Sequence, residues 1–108
     1  MNVSAEFLAE LKGFYPDAKS FTEGGLIYIH LPKLILPRGE EAEGLLLLNG
    51  AGSYTTRLFL AKEISGSQAK NWSAHQILNK TWYTWSWKDV PSDGRYVEIL
   101  VNHLRALA

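Results

Sequence analysis

Gly44-Leu45-Leu46-Leu47-Leu48-Asn49-Gly50 is the stretch on which the fold turns. Leucine favours helix, but four residues flanked by glycines are too short for one. A brief apolar run between turn residues reads as a strand buried on both faces. Asn49-Gly50-Ala51-Gly52 is a turn signal. Beyond it Tyr54, Thr56, Leu58 and Leu60 alternate with Thr55, Arg57, Phe59 and Ala61, which predicts a further strand. Upstream, Leu26-Ile27-Tyr28-Ile29-His30-Leu31 predicts a strand entered from Gly24-Gly25 and ended by Pro32. Pro32 and Pro37 bracket Lys33 to Leu36, a short extended piece or an edge.

Helices are expected at the two ends. Ser4 suits an N-cap and Glu6 a first turn, with Phe7, Leu8 and Leu11 on one face. Gly13 and Pro16 should stop this helix. Ser92-Asp93-Gly94 should cap a last helix carrying Tyr96, Ile99, Leu100, His103, Leu104 and Leu107 at helical spacing. Between them lie a polar loop at 65–71 and an aromatic segment at 72–87. In that segment Tyr83, Trp85 and Trp87 alternate with Trp82, Thr84 and Ser86, which fits a strand or a long ordered loop. The expected class is α+β: one domain over 1–108, with an N-terminal helix, an antiparallel meander of three to four strands, the aromatic segment and a C-terminal helix. No internal repeat, low-complexity tract or linker interrupts it.

The 108 residues include 11 basic and 11 acidic side chains. That balance shows no electrostatic footprint for nucleic acid and argues against a charge-driven membrane contact. No cysteine is present, which excludes a disulfide scaffold, Cys-ligated zinc, thiol nucleophiles and thioester carriers. It is compatible with a reducing cytoplasm, the expected location. The start, Met1 to Glu6, does not pair a basic region with an apolar run and is not read as a signal peptide.

Little in the chain suggests chemistry. His30, His75 and His103 are far apart and form no metal-ligand spacing. Gly52-Ser53-Tyr54 and Gly66-Ser67-Gln68 lack the nucleophile-elbow pattern and read as turns. Trp72-Ser73-Ala74-His75 sets a serine two residues from a histidine, a local coincidence unless a third group orients the imidazole. Gly50-Ala51-Gly52 precedes a strand, not the helix a phosphate cradle needs. Glu40, Glu41 and Glu43 read as a solvated turn. Neither cofactor nor metal is implied.

The anomaly is that all four tryptophans fall within 72–87. Tryptophan buries much area and keeps a polar N–H, so it is enriched at binding hot spots. The bland reading is a second small core beneath a loop, each N–H bonded internally.

The order of motifs resembles the ubiquitin-conjugating-enzyme-like (UBC) superfamily, in particular its prokaryotic family E. The resemblance covers about residues 26–107. It rests on Leu36-Pro37-Arg38-Gly39 after a strand, the leucine strand, a glycine turn into Tyr54, Trp72-Ser73-x-His75, the tryptophans at 82–87 and the closing His103-Leu104. The chain departs from the family's pattern in having no cysteine, and in having Ala74 where the Trp-Ser-Arg-His element has arginine.

What the resemblance implies is a non-catalytic adaptor that binds a ubiquitin-like modifier, its activating enzyme or another member of the machinery. The expected contact face holds Trp72, Ser73, His75, Trp82, Trp85 and Trp87. Two other classes stand beside it. One is a small enzyme using Ser73 and His75 or an unseen carboxylate. The other is a structural protein whose aromatic segment forms a homodimer. A convergent polar pocket would favour the enzyme, and an exposed apolar patch the adaptor.

Overall fold

The structure, a computed structural model, describes residues 3–108. The elements in chain order are α1 (Ala5–Phe14), β1 (Lys19–Glu23), β2 (Leu26–Ile35), β3 (Glu41–Leu47), β4 (Arg57–Leu60), β5 (Ser73–Ile77), β6 (Lys80–Thr84) and α2 (Tyr96–Leu104), with a closing 3₁₀ turn at Arg105–Leu107. The strands form one antiparallel sheet in the order β1-β2-β3-β4-β6-β5. The α+β class and the order helix, sheet, helix are as expected; the sheet has six strands rather than three to four.

The leucine run shows how the layers arise. Side chains alternate across a strand. Leu46 joins a core with Ile27, Ile29, Leu58 and Leu60 from the sheet and Leu11, Ile99 and Leu100 from the helices. Leu45 and Leu47 point the other way, into a second core with Tyr28, Phe59, Ile77 and Trp82. Strand β3 is therefore buried on both faces, by helices on one side and the β5–β6 hairpin on the other. For Ile77 and Trp82 to reach Tyr28, the sheet must curl. The hairpin tip confirms the closure, since the Leu78 N–H donates to the Glu23 carboxylate at 3.1 and 3.2 Å.

Strand β2 runs through Pro32 instead of ending there. Leu31 pairs with Gly44 and Leu34 with Ala42, so β2 advances three residues while β3 advances two. This bulge takes the proline, which lacks an N–H, out of the ladder. It also resets the alternation, so that Leu31 and Leu34 both enter the helix-side core.

The strand expected from Tyr54 starts at Arg57. The preceding residues close on themselves, with Gly50 N–H donating to Thr55 O at 2.8 Å. A Cβ at Gly50 would overlap the Tyr54 carbonyl, so only glycine fits this closure. The hydroxyls of Thr55 and Thr56 donate to the Val90 carbonyl at 3.0 and 2.8 Å, which holds the segment away from the ladder.

Ser4 caps α1 as expected, accepting from Phe7 N–H at 3.1 Å. Gly13 lies inside the helix, which ends where Tyr15 N–H meets Leu11 O, just before Pro16. Ser92-Asp93-Gly94 does not cap α2. Its N-cap is Arg95, which makes no side-chain cap bond and reaches Glu10 of α1 at 2.9 Å instead. The helices are also joined by Ser4 N–H donating to the Tyr96 hydroxyl at 2.8 Å and by Phe7 edge-on to Tyr96.

His103, on the apolar stripe of α2, is fully buried. Its Nε2 lies 2.9 Å from Thr56 Oγ1. That hydroxyl has one proton and gives it to the Val90 carbonyl, so the imidazole must be the donor and carries its proton on Nε2. Burial, and then the nearby Arg57 charge, push its pKa down from 6.5 to about 4. Among the described residues no helix is long and apolar enough to cross a membrane.

Candidate functional site around Arg57, Ser73 and His75

The aromatic segment resolves into a hairpin and an extended tail. Its turn is Leu78-Asn79, with φ of 54° and 58°. Two residues with positive φ between antiparallel strands make the type I′ turn that matches strand twist. Such turns favour Asn-Gly, and a leucine there is strained. The Glu23 carboxylate on the Leu78 N–H helps hold it.

The turn sets which edge of β5 is free. Ile77 and Lys80 flank a two-residue loop, so they exchange backbone hydrogen bonds. By alternation His75 with Trp82 and Ser73 with Thr84 do the same. The N–H and C=O groups of Ala74 and Gln76 then point outward. Strand β5 is the last in the sheet, and its five residues, Ser-Ala-His-Gln-Ile, carry no acidic, Lys or Arg side chain. At the opposite edge β1 bears Lys19 and Glu23, the kind of charge that discourages strand addition.

The tryptophans separate by depth. Trp82 is 2% exposed and Trp85 1%. Trp82 Nε1 donates to the Ile77 carbonyl at 3.1 Å, while Trp85 Nε1 has no partner among the described residues. Both rings are core, which corrects the expectation that they lie on a contact face: the curl and the helices cover them. Trp72 and Trp87 are half-buried. Trp72 leans on Trp85 with centroids 5.1 Å apart, and Trp87 Nε1 donates to Asn102 Oδ1 at 3.2 Å. Among the described residues, the large apolar side chains that stand exposed are Phe14, Ile35, Leu78 and Val101, none of them a tryptophan.

What remains at the surface is Ser73, His75 and a residue the sequence did not single out, Arg57. Ser73 Oγ lies 3.1 Å from His75 Nε2. The imidazole stands edge-on to Phe59 at 5.4 Å. Burial first and the Arg57 charge second hold its pKa below the usual histidine value. Among the described residues no hydrogen bond holds Nδ1, so no carboxylate orients the ring as a catalytic triad requires. Arg57 donates from Nε to Thr84 Oγ1 at 3.2 Å and from Nη2 to the Trp85 carbonyl at 3.3 Å. The Tyr54 ring covers its Cζ at 4.1 Å. Thr84 pairs in register with Ser73, which brings the guanidinium beside the Ser73–His75 pair. One signal for Arg57 was available: it is the lone charge in the alternating run 54–61.

The larger concave regions lie elsewhere. A cleft of about 520 Å³ runs between β1 and the hairpin, lined by Phe21, His30, Glu43, Lys80 and Trp82 among others. Glu43 accepts from His30 at 2.6 Å through Oε2 and from Lys80 through Oε1. Those bonds, that from Lys80 foremost, hold its pKa below the usual carboxylate value. With both oxygens engaged and Lys80 on the hairpin, the trio reads as a latch pinning hairpin to sheet. A groove of about 640 Å³ lies between α1 and α2, where Phe14 is 71% and Val101 56% exposed. No group of three acidic or histidine side chains that could hold a metal occurs among the described residues. No protein family, curated protein or solved structure matches the chain.

Proposed function

We propose that the chain is a non-catalytic relative of ubiquitin-conjugating enzymes that acts as an adaptor. It binds a ubiquitin-like modifier, or a member of its conjugation machinery, along the outer edge of β5. A cytoplasmic location goes with this reading. The observation that carries it is the free, uncharged edge of β5, flanked by half-buried Trp72 and His75. A strand edge offers unpaired N–H and C=O groups, and an extended segment of another chain can add there as a further strand. The absent cysteine and the helix-sheet-helix order support the same reading.

The test is a titration of isotope-labelled chain with a ubiquitin-like protein. Amide shifts should concentrate on residues 72–76. Ala74→Pro removes one outward N–H and leaves the β5–β6 ladder intact, and it should abolish the response. Shifts confined to the α1–α2 groove, or no response at high concentration, would refute the proposal. Concentration-dependent dimerisation through the same edge would place a second copy there instead and also count against it.

A further inference from the structure

Arg57 is held on three sides by neutral groups: the Thr84 hydroxyl, the Trp85 carbonyl and the Tyr54 ring. The Tyr54 ring is itself anchored, its hydroxyl 3.0 Å from Ser86 Oγ. Arg57 is half-buried. Among the described residues no carboxylate stands within ion-pair distance of it, and no hydrogen bond uses Nη1. Arg95, by contrast, reaches both Glu10 and Glu98. A partly desolvated cation without a counter-charge is costly. A fixed guanidinium with a free N–H edge is the group best shaped to receive an oxyanion.

The neighbours complete such a site. Directly paired residues on adjacent strands have Cβ atoms about 5 Å apart, so Ser73 stands opposite the Thr84 that Arg57 grips. Its side chain is exposed, and its hydroxyl and the His75 imidazole are 3.1 Å apart. We propose that Arg57, Ser73 and His75 form a binding site for an oxyanion, a carboxylate or a phosphate carried by the partner. Nη1 of Arg57 and the Ser73 hydroxyl donate to it, while that hydroxyl accepts from His75 Nε2–H, which closes one side. The source of the anion rests on the adaptor reading; the site itself does not.

The experiment titrates isotope-labelled chain separately with sodium acetate and inorganic phosphate at constant ionic strength. It reads the amides of residues 54–58, 73–76 and 84–86 and the pKa of the His75 ring. Saturable shifts in the millimolar range are expected. The His75 pKa, lowered by burial first and by Arg57 second, should rise on binding, because an anion offsets the Arg57 charge. Arg57→Gln should abolish saturation, and Ser73→Ala, at an exposed position, should weaken it several-fold. Saturation by phosphate alone indicates a phosphorylated partner and by acetate alone a carboxylate, and saturation by either or both supports the site. Linear shifts with both anions overturn the proposal, as does saturation undiminished in the variants. If Arg57→Gln does not fold, unchanged affinity in Ser73→Ala is sufficient to overturn it. Anion saturation without any response to a ubiquitin-like protein refutes the adaptor reading and leaves the site standing; the reverse refutes the site alone.

Discussion

Burying His103 as a neutral donor makes the fold sensitive to mild acid. Its folded pKa is about 4, against an ordinary 6.5. The unfolded chain therefore binds the proton more readily between those values. Stability is complete above about pH 6.5 and declines as pH falls toward 4. The full difference corresponds to about 3 kcal/mol, of which about 2 kcal/mol is already lost at pH 5. The assay is urea unfolding at pH 7.5 and pH 5 for the wild type and His103→Gln. Glutamine keeps an N–H for Thr56 and cannot titrate in this range. His75, whose folded pKa is also lowered, contributes in the same direction but is present in both proteins and cancels. The wild type should lose about 2 kcal/mol more than the variant, a difference of about 1 to 2 M in urea midpoint. Equal losses would refute the account of His103 as a buried neutral imidazole.

Alanine at Trp82 or Trp85 should cost about 3 to 5 kcal/mol of stability by chemical denaturation, because both rings are core; the half-buried Trp72 and Trp87 should cost less. Leu78→Asn should raise stability by about 0.5 to 1 kcal/mol, since asparagine tolerates the positive φ of 54°; an unchanged midpoint would show that Glu23 already relieves the turn. Glu43→Gln should cost no more than about 1 kcal/mol at neutral pH, because the latch is partly exposed. The Glu43 contribution is present above the ordinary carboxylate value of 4.5 and fades as pH falls through its lowered folded pKa. The variant should therefore show a flatter acid limb in a melting-temperature series.

Several elements were legible because they follow from local pattern. The short leucine run flanked by glycines favoured a buried strand, and Ser4 with Phe7 and Leu11 suited the start of an amphipathic helix. The alternation of Trp82, Tyr83, Thr84 and Trp85 fitted a strand and a long loop equally, and the structure places Trp82 and Trp85 in opposite cores. The hairpin was not legible. Leu78-Asn79 contains no glycine, and its turn is supported by Glu23, 55 residues away. β1 and β5 were missed because edge strands need bury little and so carry little apolar periodicity.

The site divides in the same way. Ser73 and His75 are two residues apart on one strand, so their proximity is a local property of alternation. Arg57 joins them only because β6 lies between β4 and β5. Composition placed four tryptophans in one segment without saying which way they face. Depth is decided by the layers on each side of a strand, and those are assembled from the far ends of the chain. Here α1 and α2 cover one face and the curled hairpin the other, turning Trp82 and Trp85 into core and leaving the edge of β5 free.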